Sequence, residues 1–243
     1  MDNQTIEIRK QLKKKLDPMR FEHTLGVTYT CQALAMRYGY DLKKAELAGL
    51  LHDCAKHFDD DTMLLKCLKR RIPVTEGEER EPSLLHAKLG AWYAREKYGV
   101  EDEEILNAIE CHTTGKPNMT LLDKILYVAD YIEPGRYKAE RLYEMRKLSF
   151  IDLDLACFSI MESILNYLES TNCVIDPTTR EACEDMRRVV EEKKVQPFPP
   201  SENVTKQQET PTTIKKEEPL VKSVKRNGKT RRRSSGREKR RRY

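Results

Sequence analysis

Five histidines occur in this chain, and four of them interrupt stretches otherwise fit for an apolar core. His23 lies in MRFEHTLGV, His52 in AGLLHDCAKHF, His86 in SLLHAKLGAWYA and His112 in AIECHTTGKP. Asp53 follows His52 directly, and Asp130 sits inside the run ILYVADYIEPGR. A carboxylate or imidazole buried without a partner is costly, most of all when ionised. Gathering several such groups around a metal ion satisfies them together. Taken singly, a histidine on an amphipathic helix is ordinarily a core or surface residue, and an Asp after an apolar run ordinarily closes a helix. The adjacent His52-Asp53 pair, with three more inward-looking histidines and Asp130, points instead to a metal centre. His57, beyond the end of its helix and before Phe58-Asp59-Asp60-Asp61, reads as a solvated loop residue.

The segments that carry these residues read as helices. Apolar residues at near-helical period run through Arg20–Tyr38. Asp41 caps Leu42–Ala55, Asp60 or Asp61 starts Met63–Arg71, and Pro82-Ser83 opens His86–Tyr98, which Gly99 closes. Asp102–Cys111 is a short helix, and Thr120 caps Leu121–Ile132 ahead of Pro134-Gly135. Phe150–Ser170 reads as one long amphipathic helix, and Asp176-Pro177 starts a last one that ends near Lys194. No alternating run looks like a strand, and no internal repeat is present. The expected class is all-α, a single bundle of about nine or ten helices.

Composition bounds the rest. The 243 residues are 38% apolar and 35% charged, enough to build a core under a heavily charged surface. No apolar run approaches the roughly 18 residues of a membrane span, and Met1–Lys15 does not read as a signal peptide. A cytoplasmic location is expected. The seven cysteines are odd in number and lack CxxC spacing, which fits reduced thiols and neither a disulfide framework nor a cysteine zinc site. Residues 196–243 hold 15 Lys+Arg against 5 Asp+Glu, leaving 30 against 35 for the remainder. That segment is poor in large apolar residues and rich in Pro, Ser and Thr, so it reads as a disordered basic tail after a domain of residues 1–195. Its end, Val221–Tyr243, carries 12 Lys+Arg and one Glu. Such charge can bind RNA nonspecifically by counterion release, or simply solubilise the chain.

The order His23, His52-Asp53, Asp130 resembles the HD superfamily of metal-dependent phosphohydrolases. The strings LLHDCAK, LLHAKLGAWYA and CHTTGKPNMTLLDKILYVADYIEPGR resemble its YqeK-type branch, the symmetrical bis(5'-nucleosyl)-tetraphosphatases, over about residues 5–195. The basic tail falls outside the resemblance. The resemblance implies a helical HD-domain bundle in which His23, His52, Asp53 and Asp130 hold an iron-type metal. It places His86 and His112 in the same cavity, where they bind a second metal or grip phosphate, and puts Tyr131 to Arg136 on the nucleoside side. A mixed imidazole and carboxylate shell agrees with a divalent transition metal, iron or manganese. Asp53 could orient or deprotonate water, so Asp53, His86 and His112 are the candidate catalytic groups. Candidate substrate contacts are His23 and Arg20 three residues before it, Arg136 after the Pro134-Gly135 turn, and Lys56, one helical turn beyond His52. Each of these cations could equally be an ordinary surface charge. Thr113 and Thr114 offer hydroxyls and backbone N–H groups to phosphate oxygens. The implied activity is symmetrical hydrolysis of diadenosine tetraphosphate to two ADP. Alternatives are another nucleotide phosphohydrolase, acting on guanosine tetraphosphate or as a nucleotidase, and an RNA- or ribosome-associated nucleotide sensor. Assembly as a homodimer is left open by the sequence.

Overall fold

A computed structural model describes residues 3–195 of the chain, so the basic tail, 196–243, lies outside the described residues. Among the described residues the secondary structure is eleven α-helices and one 3-10 turn, with no strand. The first helices are α1 (Asn3–Lys15), α2 (Pro18–Tyr38), α3 (Leu42–Leu51), α4 (Asp60–Lys69) and α5 (Glu76–Arg80). The 3-10 turn (Pro82–Leu85) then leads into α6 (His86–Tyr98), α7 (Glu103–Cys111) and α8 (Leu121–Ile132). The chain closes with α9 (Leu142–Ser149), α10 (Leu153–Ser170) and α11 (Pro177–Val195). No helix among the described residues is long and apolar enough to cross a membrane.

The boundaries follow local chemistry. Asp17 accepts the Arg20 N–H (3.0 Å) with Pro18 in the first turn of α2, and Gly39 ends that helix in the left-handed region. Asp41 accepts the Lys43 and Lys44 N–H groups at the start of α3. Thr120 and Asp123 form a capping box at the start of α8. Asp176 accepts the Thr178 N–H (2.8 Å) as α11 begins.

Several sequence-based boundaries are corrected. The α3 helix stops at Leu51, not Ala55: residues 52–58 wind by bonds three residues back, Cys54 N–H to Leu51 O (3.1 Å) and Lys56 N–H to Asp53 O (2.9 Å). The long helix expected from Phe150 starts at Leu153, because Asp152 caps α10 by accepting the Leu155 N–H (3.1 Å). The α4 cap is Asp59, through the Thr62 N–H (2.8 Å), ahead of the expected Asp60 or Asp61. Helices α1, α5 and α9 had no sequence counterpart: α1 buries only Thr5, Ile8 and Leu12, α5 is a single capped turn too short for a periodic signal, and α9 has just eight residues.

Helices α2, α3 and α8 pack on one another at the centre, with α7 against α3 and α8, α6 against α7, and α10 against α8. Leu34, Leu50, Leu51, Ile109, Leu122 and Leu126 are fully buried between them. Six of the seven cysteines are buried and all are free, as their lack of pairing motifs suggested. Burial pushes the Cys54 thiol up to about 12, so it behaves as a small apolar side chain.

The contact of α2 with α3 is close because Gly49 has no Cβ. One built there would lie 2.8 Å from Thr28 Cα and 3.2 Å from Cys31 Sγ, against backbone that cannot yield. Gly49→Ala should therefore destabilise the metal-free protein by about 1–2 kcal/mol, the overpacking cost less the better helix propensity of Ala. Urea unfolding in chelator measures this, and a variant as stable as the wild type would mean that the contact is slack.

Candidate metal centre

The polar residues picked from the sequence converge at the ends of the central helices. His23 comes from the second turn of α2, His52 caps the C-terminal end of α3, and Asp53 follows it. His86 opens α6, His112 caps the C-terminal end of α7, and Asp130 lies in the last turn of α8. Three helix C-terminal ends thus meet here, and their partial negative charge favours a cation.

Each histidine has its Nδ1 committed. The Nδ1–H of His52 donates to Gly49 O (2.7 Å), that of His112 to Ile109 O (2.7 Å) and that of His86 to Ser83 O (2.5 Å). His23 Nδ1 lies 3.2 Å from Glu133 Oε1 and donates to it. For His23, His52 and His112 this leaves Nε2 as a lone pair, while His86 Nδ1 also faces the Lys56 ammonium (3.1 Å); all four Nε2 atoms point at the same place. His57 makes the same kind of bond, to Cys54 O (3.0 Å), but is exposed, as expected of a loop residue.

Asp53 stands in the middle, 3% exposed. Its Oδ2 faces His23 Nε2 (3.8 Å) and His52 Nε2 (3.5 Å), and its Oδ1 faces His86 Nε2 (3.3 Å) and His112 Nε2 (3.9 Å). Asp130 Oδ1 lies 3.0 Å from His23 Nε2. His23 Nε2 and His52 Nε2 are buried with no hydrogen-bond partner, although carboxylate oxygens surround them. Acceptors facing acceptors in a buried space call for a shared cation. Two donor sets lie close enough for one ion each: His23, His52 and Asp130, and His52, Asp53 and His112. The residues present fit a divalent metal.

Electrostatics keep the carboxylates charged. Burial would raise Asp53, but the charge that His52 beside it takes up when no cation is bound holds it well below the ordinary range. Burial would raise Asp130 too, and His23 with the Arg136 guanidinium outweighs it. Burial, reinforced by His112, drives His86 down to about 3, so its ring is neutral.

The flanking residues sort themselves by contact. Arg20 Nη1 donates to Asp53 Oδ2 (2.7 Å), and Arg136 donates through Nη2 to Asp130 Oδ1 (2.8 Å) and through Nε to Asp130 O (2.8 Å). Thr113 Oγ1 is 3.4 Å from the Nε2 atoms of both His86 and His112. Lys56 is not on a helical face with His52. Because the segment is a turn, its Nζ reaches behind His86 and donates to Ser83 O (3.2 Å). The Thr114 hydroxyl donates to Gly115 O (2.9 Å) and that of Tyr131 to Glu140 O (2.9 Å), so both line the site with their protons already used.

Two cavities open on the cluster. One, of about 340 Å³, is lined by Arg20, His23, Glu133, Arg136 and Tyr137 among others. The other, of about 680 Å³, runs from His112, Thr113 and Asp130 past Tyr131 to Ile164, Tyr167 and Leu168 of α10. Arg136, Lys138 and Ala139 line both. Lys138 and the α10 wall were not singled out in the sequence, and Glu133 entered only within the stretch Tyr131 to Arg136 that the resemblance put on the nucleoside side. Glu133 stands in a Pro-Gly turn where a polar residue is ordinary, and the α10 residues are plain amphipathic helix.

Residues 20–135 match the HD domain family. The symmetrical bis(5'-nucleosyl)-tetraphosphatase of Halalkalibacterium halodurans is 42% identical over 171 residues, covering 69% of this chain and 89% of that protein. The enzyme of the same name from Bacillus subtilis is 40% identical over 168 residues, covering 69% and 89%. The crystal structure of a predicted HD superfamily hydrolase involved in NAD metabolism from Clostridium acetobutylicum superposes with a TM-score of 0.73 at 37% identity, covering 75% of this chain and 96% of that one. The convergent histidines, the central His52-Asp53 pair and these similarities together make the chain a member of the HD domain family, in its symmetrical bis(5'-nucleosyl)-tetraphosphatase branch.

Proposed function

We propose that the protein hydrolyses dinucleoside tetraphosphates such as diadenosine tetraphosphate at the centre of the phosphate chain, giving two nucleoside diphosphates, with a divalent ion held by His23, His52, Asp53 and Asp130. The observation that carries this reading is the place of the cluster between two cavities, His23 lining one and Asp130 and His112 the other. A substrate with a nucleoside at each end and phosphates in the middle suits that arrangement. The names of the similar enzymes from Halalkalibacterium halodurans and Bacillus subtilis support it. Iron is our reading of the metal, with manganese next, because the donors mix imidazole nitrogen with carboxylate oxygen.

A divalent ion held there supplies acidified water, with a pKa near ~7, and draws charge from phosphate oxygens. The chain's own residues do the rest. Arg20 and Arg136, each on a carboxylate oxygen that also faces the histidines, border the 340 Å³ cavity and can turn their free N–H groups to the non-bridging oxygens of a tetraphosphate. Asp53, kept ionised, can accept a proton from the attacking water. Thr113 is within reach to orient that water or a phosphate oxygen. The apolar wall of α10 offers a nucleoside a surface away from bulk water.

A two-ion version is favoured by one contact. His86 Nε2 and His112 Nε2 are 3.1 Å apart, and Asp53 Oδ1 lies 3.3 Å from the first and 3.9 Å from the second. A second ion would be held by His86 and His112 together with Asp53 and would supply further charge to the phosphate chain.

Three outcomes are expected. His23→Ala, His52→Ala and Asp53→Ala each lose metal, by elemental analysis, and more than about 100-fold in kcat/KM; full occupancy with normal turnover in any of them contradicts the assignment. Chromatography of products from diadenosine tetraphosphate gives ADP alone, and equimolar AMP and ATP would refute central cleavage. Metal per chain falls from two to one in His86→Ala and His112→Ala if the two-ion version holds. An unchanged single ion with lowered turnover would leave these residues to phosphate.

A further inference from the structure

We propose that Glu133 is a positioning residue: its carboxylate fixes the tautomer and direction of His23 so that Nε2 is delivered to the metal. This rests on the assignment of His23 as a ligand. Three independent features of the structure lead to it.

The carboxylate is buried, 3% exposed, and both oxygens are engaged. Oε1 receives the His23 Nδ1–H (3.2 Å) and Oε2 receives the Gly135 N–H (2.5 Å). His23 is the one among the four convergent histidines whose Nδ1 meets a carboxylate in place of a backbone carbonyl. The reason is its position. His52, His86 and His112 stand at helix ends, where the ring folds back on the carbonyl three residues earlier. His23 is inside α2, where that carbonyl is already used, so its orienting partner has to come from another helix.

Room for that partner is made by a glycine. At Gly26, one turn after His23 on α2, an added Cβ would lie 2.4 Å from Glu133 Oε2, and the nearest atoms it would meet all belong to the Glu133 side chain. Gly135 opens the other side, its would-be Cβ 3.0 Å from the same oxygen.

The turn that carries Glu133 is held from behind. Arg146 of α9 donates through Nε to Ile132 O (2.8 Å) and through Nη2 to Glu133 O (2.8 Å) and Arg136 O (2.9 Å). The same clamp therefore sets both the carboxylate on His23 and the Arg136 guanidinium on Asp130.

The test is a titration of chelated protein with Mn²⁺, read with a competing fluorescent chelator, alongside thermal melting without metal. Glu133→Gln should weaken Mn²⁺ binding about 10- to 100-fold with little change in melting, because the amide can donate to Nδ1 and turn the lone pair away from the metal. Gly26→Ala leaves the carboxylate in place chemically but displaces it, so it should weaken Mn²⁺ binding in the same direction. The Gly26→Ala, Glu133→Ala double variant should bind no more weakly than Glu133→Ala alone, since the methyl then has nothing to displace. His23→Ala separates the two assignments. If it leaves Mn²⁺ affinity intact, the ligand assignment fails. If it weakens binding while Glu133→Gln and Gly26→Ala do not, or if their effects simply add, Glu133 is a structural ion partner and this inference is wrong.

Discussion

A carboxylate with imidazole nitrogens against both of its oxygens, enclosed by the apolar faces of three helices, sets a demand that the rest of this molecule meets. Asp53 is ionised in a space that water hardly reaches, and the His52 and His112 nitrogens facing it offer lone pairs to a cation. Such an arrangement is stable only with a cation at its centre or with strong compensation from its edges. The edges supply part of it: Arg20 on Asp53 and Arg136 on Asp130. The convergence of C-terminal helix ends, whose unpaired carbonyls also favour positive charge, supplies more. What is left is a site shaped for a divalent ion.

That demand explains features of the fold that packing alone does not require. The α3 helix stops at His52 instead of running on, which brings His52 and Asp53 off the helix end and lets His52 fold back on Gly49. Gly115, in the left-handed region just beyond His112, turns the chain away so that the Thr113 hydroxyl stays beside the two histidines. Helix α9 buries Leu142 and Met145, and its Arg146 ties down the turn from which both Glu133 and Arg136 act.

Much of this was legible in the sequence, and the reasons differ by residue. His23, His52, Asp53, His86, His112 and Asp130 stand out because a polar group inside an apolar, helix-periodic run must have a partner, whatever the fold. Helix caps such as Asp41 and Thr120 are local chemistry and announce themselves in the same way. Glu133 gave no such signal, because its partner lies 110 residues away and its neighbours look like an ordinary turn. Lys56 misled for the opposite reason: the spacing from His52 was helical, but the helix had already ended. The walls of the two cavities come from α2, α8, α10 and the segment after α8, a juxtaposition created by packing alone.

The most direct test of the central claim is to see the ion. Crystals of protein purified with iron, under anaerobic conditions, should show an anomalous difference peak at the iron edge within coordinating distance of His23, His52, Asp53 and Asp130. An active protein whose crystals show no anomalous scatterer among these four side chains, or one bound only elsewhere, would contradict the account.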